Sequence, residues 1–235
     1  FGPPSWRYLP RTFFVTLVSV VGIPFRWYES FVLREKLKAT KLKEDPVFII
    51  GHWRTGTTFL HNLMTKDPQF GFITMHQALF PRSFMSTGFF RWFLKMAMPD
   101  TRPMDNMKLA VDMPQEDELA LSNWGRFSFY NGWHFPWRIM DFYRRWVEFD
   151  GISDAGRAAW WREFNRVLIR ATLNHDGKRL VLKNPPHTAR ILEILKRYPN
   201  ARFIHIYRNP YVVYLSTRHL YKTAIPPFNV QHYPE

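Results

Sequence analysis

The stretch GHWRTGTTFLH, Gly51–His61, sets two glycines, one arginine and three threonines within eight residues. Four apolar residues, Val47–Ile50, precede it, and a helical pattern from about Thr57 to Lys66 follows. A glycine turn between strand and helix aims backbone N–H groups and the positive end of the helix dipole at one point, which suits an anion. Arg54 adds a planar fork that matches phosphate or sulfate oxygens, and Thr57 and Thr58 add hydroxyl donors. Arg54, Thr55, Gly56, Thr57 and Thr58 are therefore candidate anion ligands. A ligand-free turn has no use for all of these together.

The loop departs from the Walker pattern of nucleotide hydrolases, in which a lysine after the second glycine reaches the outer phosphates. Here that position is Thr57. A Mg²⁺ site of the companion type needs an aspartate at a strand end. The two later strand-like stretches, KRLVLKN and ARFIHIYRN, carry Lys183 and Arg208 there instead. An anionic ligand held without metal is indicated.

Those positions imply the elements around them. Strand-like stretches at Val47–Ile50, Lys178–Asn184 and Ala201–Asn209 alternate with helical patterns at Thr188–Tyr198 and from Pro210 onward. This alternation predicts an α/β fold, a parallel β-sheet flanked by helices. Ligands in such sheets sit beyond the carboxyl ends of the strands, where Arg54, Lys183 and Arg208 all fall. Trp160, Phe164, Val167, Leu168 and Ala171 mark one face of a helix closed at His175–Gly177, read as core. Further helices are expected at Arg34–Lys43, near Phe89–Met98 and from Pro114 to Leu121.

GHWRTGTTFLHNL together with RFIHIYRNPYVVYLST resembles the sulfotransferase superfamily, which uses 3′-phosphoadenosine-5′-phosphosulfate (PAPS). The resemblance covers about Lys43 to Tyr221. DTRPMDNM, MPQEDELAL and LVLKNPPHTARI resemble its mainly bacterial branch. It implies a P-loop-like sulfotransferase fold whose first motif binds the 5′-phosphosulfate. Arg208 and, eight residues later, Ser216 match the pair that binds the 3′-phosphate. Lys183 matches the lysine that touches the transferring sulfuryl group or the bridging oxygen, and Phe59 matches an aromatic that stacks on adenine. A core role for Phe59 is an equal alternative.

The acceptor hydroxyl must lose a proton as it attacks sulfur. Three residues compete for the role of base. His187 follows Lys183 by four residues, Glu116 lies in PQEDE, and His76 stands where other sulfotransferases place a glutamate. Asp117 and Glu118 are read as partners of nearby arginines or as helix caps.

The formal net charge is +14, which fits an anionic partner such as a nucleotide. Hydrophobic residues make up 46%, enough for a packed core rather than a disordered chain. There are no cysteines, so disulfides, thiolate metal sites and cysteine nucleophiles are excluded. That fits a cytoplasmic chain. Two other readings stand beside the sulfotransferase: a Mg²⁺-dependent P-loop kinase or hydrolase, and a basic membrane- or nucleic-acid-binding module. No nucleic-acid pattern is evident.

Residues 1–45 are read as an apolar and basic helical segment, and 46–235 as the sulfotransferase domain. The chain is expected to stop before the segment that closes over the 3′-phosphate in relatives. The charge-free run TFFVTLVSVVGIPF is read as too short to cross a bilayer, which takes roughly 20 residues. With Arg7, Arg11 and Arg26 around it, it is either an interfacial membrane anchor, making the chain peripheral to a membrane, or a helix packed on the domain. The acceptor is an unknown hydroxyl or amine, with a lean towards an amphipathic molecule.

Overall fold

The computed structural model of the chain describes residues 3–102 and 104–232. Pro103 of DTRPMDNM and the end of the 46–235 span lie outside the described residues. The strands are β1 (Val47–Ile50), β2 (Phe70–Gly71), β3 (Arg179–Lys183) and β4 (Arg202–His205). They form one parallel sheet in the order β2-β3-β1-β4. The α-helices are α1 (Leu9–Val32), α2 (Arg34–Ala39), α3 (Thr57–Met64), α4 (Met75–Leu79) and α5 (Phe90–Ala97). They continue with α6 (Asp117–Trp124), α7 (Ile139–Tyr143), α8 (Asp154–Asn174), α9 (Ile191–Arg197) and α10 (Pro210–Ala224).

All four residues of β1 are buried. A strand covered on both faces needs an unbroken apolar run, and VFII supplies it. Phe48 and Ile50 join the larger core with Leu180, Leu182, Trp160 and Phe164. Val47 and Ile49 join Val181 on the other face, under Leu60 and Met64 of α3. The five residues of α8 read as core are all buried, and Trp160 is fully enclosed. Truncating an aromatic of that size costs about 3–5 kcal/mol.

Three of the four strands match the sequence reading. β2 is only two residues long, too short to leave a periodic signal. Gly71 within it has no room for a side chain, since a Cβ there would stand 2.8 Å from His175 Cβ. The stretch Thr188–Tyr198 is also broken, with a 3₁₀ turn at Pro185–Thr188 before α9. The central β1 ends between the ends of β3 and β4, so the three candidate cations share one rim.

The N-terminal helix overturns one expectation. The apolar run continues through Trp27, Tyr28, Phe31 and Val32, and Pro10 in the first turn is compatible with helix. Trp6–Val32 is long and apolar enough, by length and composition, to cross a membrane. Nor is α1 packed along the domain, because residues 13–21 are all exposed. Its one buried residue is Glu29. That carboxylate pairs with Arg170 of α8 and accepts hydrogen bonds from Met85 N, Ser86 N and Ser86 Oγ.

Candidate functional site

The loop between β1 and α3 is shaped by two glycines for different reasons. Gly51 has φ 141°, and a Cβ there would meet Ile206 O at 2.3 Å. Its N–H donates to Thr188 Oγ1 at 2.9 Å, tying the loop to the segment after β3. Gly56 has φ 102° and open space around it, and it opens α3. Arg54 also takes a left-handed φ of 70°. That conformation costs a non-glycine residue roughly 1–2 kcal/mol, and it aims the side chain across the strand ends.

Arg54 is the hub of one half of the site. Its Nε donates to Ser216 Oγ on α10 at 2.8 Å. Its Nη1 pairs with Asp105 Oδ2 at 2.7 Å, and Nη2 donates to Met104 O at 3.2 Å. Arg208, exposed three residues past the end of β4, donates from Nη1 to Arg54 O at 3.4 Å. Pro210 and an Asn209 cap, accepting from Tyr211 N at 3.0 Å, start α10 directly after it. Arg102 pairs with Asp105 at 3.1 Å and lies 3.5 Å from Thr58 Oγ1. DTRPMDNM, as a motif, does not by itself single out Arg102. Thr55 is buried and bonds within the loop, to His52 O at 2.7 Å. Thr57 is buried in the first turn of α3.

The other half centres on Glu116, which precedes α6. One carboxylate oxygen pairs with Lys183 Nζ at the end of β3. The other accepts from the Tyr130 hydroxyl. Trp53 Nε1 donates to that hydroxyl at 3.5 Å, so the loop reaches this half too. Burial pulls Lys183 below its ordinary pKa, opposed by the Glu116 carboxylate. Burial and then Glu116 push the Tyr130 phenol well above its ordinary value. Nothing local in the sequence marks Tyr130, a tyrosine that bonds a carboxylate fourteen residues away.

The three candidate bases separate clearly. Glu116 is half-buried at the rim beside Lys183. His187 is 0% exposed, edge-on to Phe48 and Phe164, with Nε2 2.8 Å from Asp117 Oδ2. His76 is buried on α4, its Nε2 3.3 Å from Thr87 Oγ1. Asp117 and Glu118 point inward, as partners rather than ligands. Asn184 Nδ2 donates to both, at 3.0 and 2.8 Å, and Arg190 pairs with Glu118 at 2.9 Å. Phe59 is 67% exposed on α3, so it is not a core residue.

Residues 46–234 match the Sulfotransferase family. The chain belongs to the sulfotransferase family. Two mycobacterial relatives, from Mycobacterium bovis and Mycobacterium tuberculosis, are each 35% identical over 207 residues. Both are omega-hydroxy-beta-dihydromenaquinone-9 sulfotransferase Stf3. The match takes in 88% of this chain and 53% of theirs, so the chain spans about half the length of these curated relatives. The fold matches the crystal structure of sulfotransferase STF9 from Mycobacterium avium at TM-score 0.60 and 20% identity, over 82% of this chain and 50% of that one. STF1 from Mycobacterium tuberculosis matches at 0.58 and 21%, over 82% and 54%.

Sulfotransferases generally take PAPS as donor. This sulfotransferase-family chain carries a donor set that fits such a polyanion. Arg54, Arg102, Arg208 and Lys183 stand around one glycine loop, with the hydroxyls of Thr58 and Ser216 among them. Among the described residues, no cluster of His, Asp and Glu is arranged to hold a metal ion.

Proposed function

We propose that the chain is the donor-binding and catalytic part of an enzyme that moves a sulfuryl group from PAPS to a hydroxyl of a lipophilic acceptor. When bound, the donor supplies a sulfuryl group joined to a 5′-phosphate that can leave. The free loop amides opening α3, with Arg54, Arg102 and the hydroxyls of Thr57 and Thr58, hold the phosphosulfate end. Arg208 and Ser216 hold the 3′-phosphate, and exposed Phe59 offers a face to adenine. Glu116 takes the proton from the acceptor oxygen as that oxygen bonds to sulfur. Lys183 stabilises the negative charge that grows on the leaving phosphate oxygen, an interaction stronger in the transition state than before it.

The observation that carries this reading is the Glu116–Lys183 pair beside the loop. A carboxylate that can accept a proton and an ammonium that can receive negative charge stand in contact at one strand end. His187, enclosed by aromatic rings, serves to position Asp117 and α6. The name of the mycobacterial relatives supports a hydroxylated, lipophilic acceptor. Residues 46–235 form the transferase domain, and residues 1–45 a membrane-associated appendage on a cytoplasmic protein. Support for the appendage comes from the exposed apolar helix α1.

The test is a thermal-shift titration with 3′,5′-adenosine bisphosphate, the desulfated product, against AMP and against ATP with Mg²⁺. At about 100 times its Kd a ligand stabilises by roughly 2.7 kcal/mol, a shift of roughly 5–10 °C for a chain of this size. The bisphosphate alone should produce that shift, and Arg208→Ala should remove it. Stabilisation by ATP with Mg²⁺ but not by the bisphosphate would sink the proposal.

A further inference from the structure

We infer that α1 and α5 together form one docking surface that lies in the plane of an anionic lipid bilayer, so that the acceptor is a hydroxylated lipid entering from that bilayer. This rests on the proposed function for the chemistry but on separate observations for the surface. The first is how α1 is held. Near its start, Arg11 Nη1 donates to Asn229 O at 2.7 Å, and Ser5 N donates to Val230 O at 2.9 Å. Val230 N in turn donates to His134 O at 3.0 Å, on the globular domain. Near the other end, Glu29 is buried against Arg170, Met85 and Ser86. Arg11 and Glu29 are about 27 Å apart along a helix rising 1.5 Å per residue. A helix crossing a bilayer cannot keep both ends on one globular domain, whereas a helix lying along the interface can.

The second observation is what lies between the tethers. Residues 13–21 are exposed on every side of the helix, and most of them are apolar, including Phe13, Phe14, Leu17 and Val21. A protein partner covers one stripe of such a helix. Immersion by about 5–10 Å into the boundary between headgroups and acyl chains covers most of a helix roughly 10 Å across.

The third is α5. Phe25 of α1 packs on Phe89 and Phe90, with ring centroids 5.9 and 6.3 Å apart, joining the two helices. Beyond that junction α5 exposes Trp92 (70%), Phe93 and Met96 (67%). A monomer rarely shows an apolar patch of this extent without a use. Arg26 lies on α1 and Lys95 and Arg91 on α5, Arg91 paired with Asp112, and the chain carries +14 overall, which complements anionic headgroups. After α5 the chain turns through Asp100, whose carbonyl accepts from Leu109 N at 2.8 Å, and reaches Arg102 at the donor loop. Five Cα–Cα steps lead from Ala97 to Arg102, so α5 ends within about 17 Å of Arg102, which borders the donor loop. An acceptor anchored in the bilayer beside α5 would therefore start close to the donor loop.

The experiment is flotation of the chain with phosphatidylcholine vesicles, with and without about 30 mol% phosphatidylglycerol. Two double variants are compared, Leu17→Gln with Val21→Gln, and Trp92→Gln with Phe93→Gln. All four side chains are exposed, so neither change removes core packing. Binding should need phosphatidylglycerol, and each double variant should weaken it by about tenfold or more. Because the chain has no cysteine, Val18→Cys gives a single labelling site, whose depth nitroxide-labelled lipids report. A label about 5–10 Å deep is expected, and one at the mid-plane, about 15 Å deep, overturns the in-plane arrangement. Indifference to Trp92→Gln with Phe93→Gln removes α5 from the surface. Dimerisation lost in the α1 variant, without vesicle binding, assigns the helix to a second copy instead. The bisphosphate thermal shift, run on the same samples, separates the two ideas. Vesicle binding without that shift overturns the donor reading alone, and the shift without vesicle binding overturns the surface alone.

Discussion

Arg54 and Ser216 meet across 162 residues of sequence, with the guanidinium Nε donating to the serine hydroxyl at 2.8 Å. The two residues belong to different motifs, one proposed for the phosphosulfate end of the donor and the other for the 3′-phosphate. Their contact joins the two anion sites into one network, completed by Arg208 on Arg54 O and by Asp105 on Arg54 and Arg102.

The network predicts an effect that separate sites would not give. Were Ser216 a ligand of the 3′-phosphate alone, Ser216→Ala would weaken the bisphosphate and leave AMP untouched. Because Ser216 also fixes Arg54, AMP should weaken too. A hydrogen bond to a charged group contributes about 1.5–3 kcal/mol, so bisphosphate affinity should fall roughly 10- to 100-fold. Calorimetric titration of both nucleotides decides the matter, and unchanged AMP affinity would disconnect the two sites.

Glu116 and His187 give a second test. As the proposed general base, Glu116 would be worth about 10²–10⁴ in rate. Glu116→Gln should lower kcat by that factor while leaving the bisphosphate thermal shift in place. His187→Asn should act the other way. It disturbs a fully enclosed side chain against Phe48, Phe164 and Asp117, so it should lower Tm before it lowers kcat per folded molecule. A folded His187→Asn protein with kcat down a hundredfold would reassign the base.

The sequence carried the sheet and the loop because both rest on local signals. VFII is a doubly covered strand, and Gly51 and Gly56 each mark a left-handed turn. The cations at the strand ends were legible for the same reason, since the end of a strand is read from its own residues. Tyr130, Trp53 and Arg102 were not assigned roles, because each acts through a partner far away or on another element. Glu116 and His187 could not be ranked from their motifs, since rank depends on burial, and burial comes from α8 and β1 packing over one of them. The N-terminal helix outruns its charge-free stretch because Arg26 and Glu29 lie within the same helix.

The buried His61 sets an acid-side dependence of stability. Burial, and next the nearby Lys183, hold its pKa down to about 3, while its Nε2 lies 3.2 Å from Val181 O. In the unfolded chain a histidine titrates near 6.5. Between those values the unfolded state binds a proton that the folded state refuses, so stability falls as pH falls through that window. The slope is about 1.4 kcal/mol per pH unit for this one group. His61→Gln should be less stable at pH 7 yet show a shallower decline from pH 6.5 towards pH 4. Urea titrations across that range measure it, and parallel declines would show that His61 takes up its proton while folded.

The clasp between Glu29 and Arg170 makes the strongest stability prediction. Both side chains are buried, and the carboxylate also accepts from Met85 N and Ser86 N at 2.9 Å each. Glu29→Met leaves the guanidinium without its charge partner and two amides without an acceptor. Breaking such a pair from one side costs about 3–5 kcal/mol, because an uncompensated charge stays buried. Arg170 is also stacked over Trp124, with its guanidinium carbon 5.6 Å from the ring centroid, so it cannot swing out to water without losing that contact. Replacing both residues, as Glu29→Met with Arg170→Met, removes both charges and keeps apolar volume. That double variant should recover part of the loss, limited by the two orphaned amides. The double-mutant cycle, measured by urea unfolding, should therefore give a clear coupling energy. Additive single losses would mean that the two groups do not depend on each other, and that the helix is held by the amide contacts alone.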